Sequence, residues 1–242
     1  MAKERTIESM IGSYFSTLLR ANFGKGPTSV FVARNGPYLA VHLRGFLGPM
    51  EKVLLKQNET KRIMEIRDLL LNELRPDIVL ELWKIAGIEI QHIYADWNLQ
   101  NETGLVIGVI RPDEEKKEMP WPKEIDYAAF EDEINKASAI AQKSPENTNL
   151  VWLNDRMVLV ERSGILIQLE KELIRIGVIE ELKMAKRPIE RNMLDEPRLE
   201  AIIGRKIHEI YVDWNFEEDL GYMVFIFEAP AKTDKEKMAG LQ

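Results

Sequence analysis

The chain has 242 residues, 45% of them hydrophobic, and no cysteine, so it can form one large core or two small ones but no disulfide or thiolate metal site. Its formal net charge is -7. Residues 1–110 contain 13 basic and 12 acidic side chains, whereas residues 111–242 contain 20 basic and 28 acidic ones. Because an acidic chain repels polyanions, we expect no nucleic-acid partner. No apolar run approaches the roughly 20 residues of a membrane span, and the first residues lack the apolar segment of a secretory signal.

The first half of the chain predicts the element order α-β-β-α-α-β-β. Its opening helix ends where Gly24 and Gly26 interrupt the apolar periodicity, and Asn35-Gly36 predicts a tight turn between two strands. We expect Pro76 to break or kink the long helix that follows. The predicted segments are a helix from residue 7, strands 30–34 and 38–47, a helical region from residue 49, a helix over 60–86, and strands 88–97 and 104–110. The predicted core stripe of the long helix is Ile63, Ile66, Leu70 and Leu74.

The second half repeats this order. We expect its helical region to be interrupted near Pro188 and Pro197. The predicted segments are helix 127–143, strands 150–153 and 157–164, helices through residue 203, and strands 206–214 and 221–228.

Two sequence blocks indicate that the chain is an internal duplication. Ile90–Ile110 and Ile207–Phe227 share seven of 21 residues at an offset of 117, and Asn35–Lys52 and Asn154–Lys171 share six of 18 at an offset of 119. Two domains of ordinary size explain both blocks. We therefore predict copy 1 at residues 1–111, a linker at 112–126, copy 2 at 127–229 and a flexible tail at 230–242.

The linker contains three prolines and many charges, although Trp121 between two of the prolines is expected to dock on one domain. Four strands with adjacent helices in each copy predict an α+β fold made of two homologous two-layer domains. Each has a four-stranded antiparallel sheet with helices on one face. We further expect the two copies to pack as a pseudo-twofold pair, an intrachain substitute for a homodimer.

Strand alternation separates an apolar face from a polar face in each sheet. Arg162 departs from this rule, because it falls on the apolar face of copy 2. The apolar face of copy 1 is predicted to carry Leu39, Val41, Leu43, Ile93, Ala95 and Trp97. Its opposite face is predicted to carry Tyr38, His42, Arg44, His92, Tyr94 and Asp96. Such polar side chains are seldom unpaired in a dry core, so this face is either wet or pressed against the other copy.

Two groups of residues in copy 1 are candidate ligand sites. The loop Gly24-Lys25-Gly26 offers backbone amides to an anion, but it runs from helix to strand and is better explained as a helix C-cap. On the polar sheet face, His42, Arg44, His92, Tyr94 and Asp96 could support anion binding or general acid–base chemistry, although a solvated or interface face is the favoured explanation. Copy 2 has Glu161 and Glu209 at the two histidine positions.

The repeated tripeptides Asp96-Trp97-Asn98 and Asp213-Trp214-Asn215 do not continue as a calcium loop, because Ile107 stands where the bidentate glutamate belongs. Packing of the tryptophans and pairing of the flanking polar groups within the hairpins is the expected role. No histidine set has metal-ligand spacing. We therefore expect no metal, no cofactor and no catalytic residues, and the chain is more simply explained as a protein other than an enzyme.

The run Gly24–Leu54, followed by a long helix and the IYADWN hairpin, resembles the MpsC-like family of small bacterial proteins. The residues that carry the resemblance in copy 1 are Gly24, Gly26, Pro27, Leu43, Arg44, Gly45 and Glu51. Copy 2 retains Gly164, Glu170 and the last hairpin but lacks the glycine loop. Because the family usually has one copy per chain, the resemblance implies a tandem form. It also implies a soluble accessory component of a sodium-translocating, membrane-potential-generating system.

Two hypotheses of different classes follow. The first is a non-enzymatic accessory protein in the cytoplasm, peripheral to the membrane through a partner in a cation or inorganic-carbon transport complex. The second is a small-molecule or anion-binding domain, or a modest enzyme, that uses the sheet face around His42, Arg44 and His92.

Overall fold

A computed structural model describes residues 6–111 and 119–228, and these residues form seven helices and eight strands. Residues 112–118 of the predicted linker and the predicted tail at 230–242 lie outside the described part of the chain. The elements of copy 1 are α1 (Ile7–Phe23), β1 (Ser29–Asn35), β2 (Tyr38–Arg44), α2 (Pro49–Lys56), α3 (Thr60–Ala86), β3 (Ile90–Asn98) and β4 (Thr103–Ile110). Those of copy 2 are α4 (Tyr127–Ala141), β5 (Asn147–Asn154), β6 (Met157–Ser163), α5 (Gln168–Arg175), α6 (Ile179–Asn192), α7 (Glu196–Ile203), β7 (Ile207–Asn215) and β8 (Leu220–Phe227).

The two sheets have the same topology. Copy 1 has the antiparallel strand order β1-β2-β4-β3, and copy 2 has β5-β6-β8-β7. Matched residues also pair in the same register, since Trp97 lies opposite Gly104 and Trp214 lies opposite Gly221. The prediction of two homologous α+β domains is therefore confirmed.

Helices cover one face of each sheet and enclose a separate apolar core in each copy. α1 begins with the Thr6 hydroxyl accepting the Ser9 amide at 3.2 Å and ends at Gly24, whose φ of 71° is left-handed. This geometry confirms the predicted helix end, because glycine adopts positive φ at little cost. The six residues predicted for the apolar face of copy 1 all belong to its core.

The helices differ from expectation at Pro188 and in the core stripe of α3, and α3 does not break at Pro76. α3 continues through Pro76 and α6 continues through Pro188, because packing of the flanking turns offsets the one lost hydrogen bond at each proline. The interruption expected near Pro197 is confirmed, because α6 ends at Asn192 and α7 begins at Glu196. Pro197 lies in the first turn of α7, where its missing amide is not needed. The predicted core stripe of α3 is also partly wrong, since Ile66 is 43% exposed while Arg67 and Leu71 are buried.

The other faces of the two sheets pack against each other. Their contact forms a third apolar cluster, which includes Tyr38, Ala40, Tyr94, Leu105 and Ile107 of copy 1 and Met157, Leu159, Tyr211, Tyr222, Val224 and Ile226 of copy 2. The rings of Tyr94 and Tyr222 stack at 4.6 Å between centroids. The fold thus has four layers, helices–sheet–sheet–helices, and the polar sheet face of copy 1 is pressed against copy 2.

Trp121 docks on copy 2, as expected. Its ring packs edge-on against Tyr127 and Trp152, and its indole nitrogen donates to the Ile125 carbonyl at 2.8 Å. The Asn35 amide in the first hairpin donates to the Trp152 carbonyl at 2.8 Å and thereby links the two copies at the β1–β5 edge. In residues 6–111 and 119–228, each helix is too short or too polar to cross a membrane.

Candidate functional site

A fully buried arginine joins the helices of copy 1 to its sheet. Arg67 on α3 donates to the two carboxylate oxygens of Glu51 at 2.6 and 2.8 Å and to the Phe46 carbonyl at 2.8 Å. Its guanidinium carbon lies 4.7 Å from the Phe46 ring centroid and 4.8 Å from that of Trp97. Glu51 also accepts the Gly48 amide at 2.6 Å, so one carboxylate caps α2 and neutralises a buried cation.

Copy 2 repeats this arrangement with a lysine. Lys186 on α6, at the position of Arg67, lies 2.6 Å from Glu170, which accepts the Ile167 amide at 2.9 Å. Its ammonium nitrogen lies 5.5 Å from the Trp214 ring centroid. Each repeated tryptophan therefore lies beside a buried cation that is held by a glutamate. This pair is a structural feature common to both copies.

Arg162, which departs from the strand alternation, is buried in copy 2 and forms a second buried ion pair there. It lies 2.5 Å from Glu190 and donates to the Ser138 hydroxyl at 2.8 Å. Glu190 also accepts the Trp214 indole N–H at 2.9 Å. Burial opposes ionisation of Glu190, but Arg162 and Lys186 outweigh it and lower the pKa of this carboxyl.

Two repeated aspartates connect the copies reciprocally. The Asp96 carboxylate accepts the Val212 amide at 2.8 Å, and the Asp213 carboxylate accepts the Ala95 amide at 2.9 Å. Each aspartate also accepts the amide of the tryptophan that follows it. Ala95 and Val212 are themselves matched at the offset of 117, so the same contact is made in both directions. Asp96, predicted as a ligand residue, thus has an interface role.

The contact between the copies around Asp96 and Asp213 is called the junction here. Helix α6 of copy 2 supplies cations to it. Arg187 lies 3.2 Å from Asp96 and 3.8 Å from Asp68 on α3, and Arg191 also donates to Asp96. Burial raises the pKa of Asp68 to about 6, although Arg187 acts in the opposite direction. Asp68 and Arg187 occupy matched positions at the offset of 119. A position shared by the two copies therefore carries opposite charges, which face each other across the junction.

A second polar network also connects the two copies. Glu209 accepts the His42 imidazole at 3.1 Å, the Tyr211 hydroxyl at 2.9 Å, the Thr103 hydroxyl at 2.5 Å and the Asn101 amide at 2.9 Å. Burial opposes ionisation of Glu209, but these four donors outweigh it and lower its pKa to about 2. Because this carboxylate is ionised and only accepts, we assign its proton-donating partner as the Nε2 nitrogen of His42.

The structure separates the predicted sheet-face residues into three places. His42 and Arg44 line one cleft between the copies. His92 is stacked on Tyr94 with Glu218 at 3.7 Å, and the Tyr94 hydroxyl accepts the Asn215 amide at 3.1 Å. Asp96 lies at the reciprocal junction. His92 and Tyr94 therefore do not share a cavity with His42.

The glycine loop is tightly packed at Gly26 but not at Gly24. A Cβ at Gly26 would lie 2.9 Å from the Ser16 carbonyl oxygen, so this residue leaves space for the end of α1. The positive charge of Lys25 acts on Glu102, whose carboxylate pairs with Lys52 at 2.7 Å. Within the described residues, no group of three or more metal-ligating side chains is placed to hold an ion.

Two sets of residues were missed by the sequence analysis. The junction set is Asp68, Arg187 and Arg191, and the cleft contains Arg156 and His208 beside Arg44. Only the relative placement of the copies brings either set together. The buried cations had a detectable signal, because Arg67 and Lys186 are both basic at matched positions on otherwise core-facing helix surfaces.

The family described as "Na+-translocating membrane potential-generating system (MpsC)" matches residues 3–111 and 131–229 of the chain. The chain belongs to the MpsC family. Its two matched segments coincide with the two copies of the fold and confirm the tandem arrangement of MpsC units. Searches of curated proteins and of solved structures gave no match.

Proposed function

We propose that this tandem MpsC protein is a non-enzymatic accessory component that binds a membrane cation or inorganic-carbon transport complex from the cytoplasmic side. The observation that carries the proposal is the family match over both copies, with the family description naming a sodium-translocating system. The partner would hold the protein at the membrane.

The use of the buried charges supports a role other than catalysis. Arg67, Lys186 and Arg162 each pair with a glutamate inside one copy, and Asp96 pairs with arginines across the junction. A catalytic acid or base must reach a substrate, whereas these groups are enclosed by the elements that they connect. They are better suited to fixing the arrangement of two domains.

The reciprocal contacts of Asp96 and Asp213 also support the expected pseudo-twofold pairing, because an isologous interface uses the same contact twice. An experimental structure tests this. Superposition of copy 1 on copy 2 should require a rotation near 180°, and a rotation far from that value would contradict the pairing.

The first surface to test for the transport partner is the outer side of α3, where Ile66, Leu69, Leu80 and Trp83 are between 43% and 70% exposed. Leu69→Glu places a charge there. Ile140→Glu on α4 is a matched control, because Leu69 and Ile140 are both 70% exposed. Each substitution adds the same charge to a different helix.

The experiment is affinity capture of the tagged full chain from gently solubilised membranes, followed by mass spectrometry. Wild type and Ile140→Glu should recover subunits of one transport complex, and Leu69→Glu should lose them. Capture without any transport subunit would overturn the proposed function. Equal recovery by all three proteins would leave the partner in place and refute only the docking surface.

A second candidate function is a small-molecule or anion-binding domain at the sheet face. The observation that favours it is the cleft that brings His42 and Arg44 together with basic residues of copy 2. His92, at a separate place, is not needed for it. A thermal-shift screen without any ligand effect, or with an effect unchanged by Arg44→Ala, would exclude this candidate.

A further inference from the structure

The cleft at the β1–β5 edge consists of two adjoining hollows that share Arg44 and His208. The inner hollow has a volume of about 120 Å³ and is lined by both copies, with His42 from copy 1 and Arg156 from copy 2 among its walls. The outer hollow, of about 380 Å³, is lined mainly by hydroxyl, amide and basic groups, including those of Ser29 and Thr103.

The two arginines of the cleft lack an acidic partner. Among the described residues, no carboxylate lies within ion-pairing distance of Arg44 or Arg156, whereas Arg67, Arg162, Arg187 and Arg191 each pair with one. Within the described part of the chain, the Arg156 side chain donates only to the Phe227 carbonyl, at 3.3 Å. The Glu209 carboxylate, which contacts His42 and Thr103 of the cleft, accepts four hydrogen bonds already. The cleft is therefore positively charged in an otherwise acidic protein.

These basic residues have no basic counterparts at the equivalent positions of the other copy. The residues that correspond to Arg44, Arg156 and His208 in the other copy are Ser163, Pro37 and Gln91, and Glu161 corresponds to His42. The fold does not require basic residues at these positions, since the matched ones are neutral or acidic. The basic set is thus a specific property of this cleft.

We propose that the cleft binds a small oxyanion, either free inorganic phosphate or sulfate or the terminal phosphate of a small polar molecule. Planar guanidinium groups match the oxygens of such anions in a two-pronged geometry. The inner hollow has space for about four waters at ~30 Å³ each, which a tetrahedral oxyanion would displace. The outer hollow, with its polar walls, would accommodate the rest of a phosphate monoester. This inference rests on the second candidate function and is independent of the transport partner.

Isothermal titration calorimetry of the full chain at low ionic strength tests the proposal. The probes are inorganic phosphate, sulfate and glycerol phosphate, and each protein is titrated in the same non-anionic buffer. Wild type should bind one anion per chain. Arg44→Gln and Arg156→Gln should each weaken binding at least about tenfold, because a charge-assisted hydrogen bond is lost. Added KCl should weaken binding by wild type.

Arg62→Gln is the control, since Arg62 is an exposed arginine of α3 outside the cleft. It should bind as wild type does. Tighter binding of glycerol phosphate than of inorganic phosphate would assign a monoester ligand, and the reverse order would assign the free anion. No saturable binding by wild type, or equal binding by wild type and both cleft variants, would overturn the proposal.

Thermal unfolding without added anion separates binding from folding. Arg44→Gln is expected to unfold as wild type does, because the Arg44 side chain is exposed. If Arg156→Gln does not fold, the charge reversal Arg44→Glu is used in its place and should abolish anion binding. Failure of these titrations would leave the membrane-capture result unaffected, so the two proposals can fail separately.

Discussion

Replacement of Arg67 by methionine tests whether the buried ion pair stabilises copy 1. The substitution preserves much of the side-chain volume but removes both bonds to Glu51 and the bond to the Phe46 carbonyl. Glu51 keeps the hydrogen bond from the Gly48 amide but loses its counter-charge, and its side chain is only 15% exposed. Loss of one partner from a buried pair costs about 3–5 kcal/mol of unfolding free energy.

For a chain of this size, each kcal/mol lowers the melting temperature by about 2–4 °C, so the loss corresponds to about 6–20 °C. Arg67→Lys should cost only about 1–2 kcal/mol, because it keeps the charge and loses the fork geometry. Copy 2 already uses Lys186 at the matched position, 2.6 Å from Glu170. Urea unfolding, followed by tryptophan fluorescence, provides the assay.

Arg62→Met on the same helix is the control and should change the unfolding free energy by less than about 0.5 kcal/mol. The double variant Glu51→Gln/Arg67→Met should lose less than the sum of its two single variants, since each removes the same pair. The reasoning would be refuted if Arg67→Met stayed within about 1 kcal/mol of wild type, or if Arg67→Lys were as damaging as Arg67→Met.

Three further predictions concern the junction. Because burial raises the pKa of Asp68 to about 6, its stabilising effect is present below its unfolded pKa of 3.8 and is lost as the pH rises through 6. Asp68→Asn should therefore be more stable relative to wild type at pH 7.5 than at pH 4, which thermal unfolding at both values measures. Because the pKa of Glu209 is lowered to about 2, its contribution is present above its unfolded pKa of 4.5 and falls as the pH drops to 2. Glu209→Gln should flatten the acid limb of a stability–pH curve between these values, and an unchanged limb would contradict the assignment. Asp96→Asn should cost about 2–4 kcal/mol, more than Asp213→Asn, because Asp96 also faces two arginines, and equal losses in urea unfolding would contradict this order.

Local patterns in the sequence were sufficient to predict the hairpins and the duplication. The Asn35-Gly36 turn and the repeated Asp-Trp-Asn tripeptides lie where the strands reverse or end, since turn chemistry depends on adjacent residues. A local rule failed at Pro188, where the expected interruption is absent and α6 continues. Tertiary packing outweighed the local penalty there.

The junction could not be predicted from the sequence for a different reason. Asp68 and Arg187 are 119 positions apart, and their pairing depends on how two complete domains meet. Strand alternation did predict that the polar face of copy 1 would be wet or covered by copy 2. It could not distinguish between these outcomes, because both place the same side chains on the same face. The position of Arg67 needed a further step, the recognition that its charge is neutralised by Glu51.

The face-to-face packing of the sheets limits how the protein can be divided. A chain cut between the copies would present the aromatic and aliphatic side chains of Tyr94, Leu105 and Ile107 to water on one piece, and those of Tyr211, Tyr222 and Val224 on the other. An exposed sheet surface of this kind favours aggregation or re-association of the pieces. Bacterial expression of either half alone should give insoluble material, whereas co-expression of both halves should restore a soluble complex.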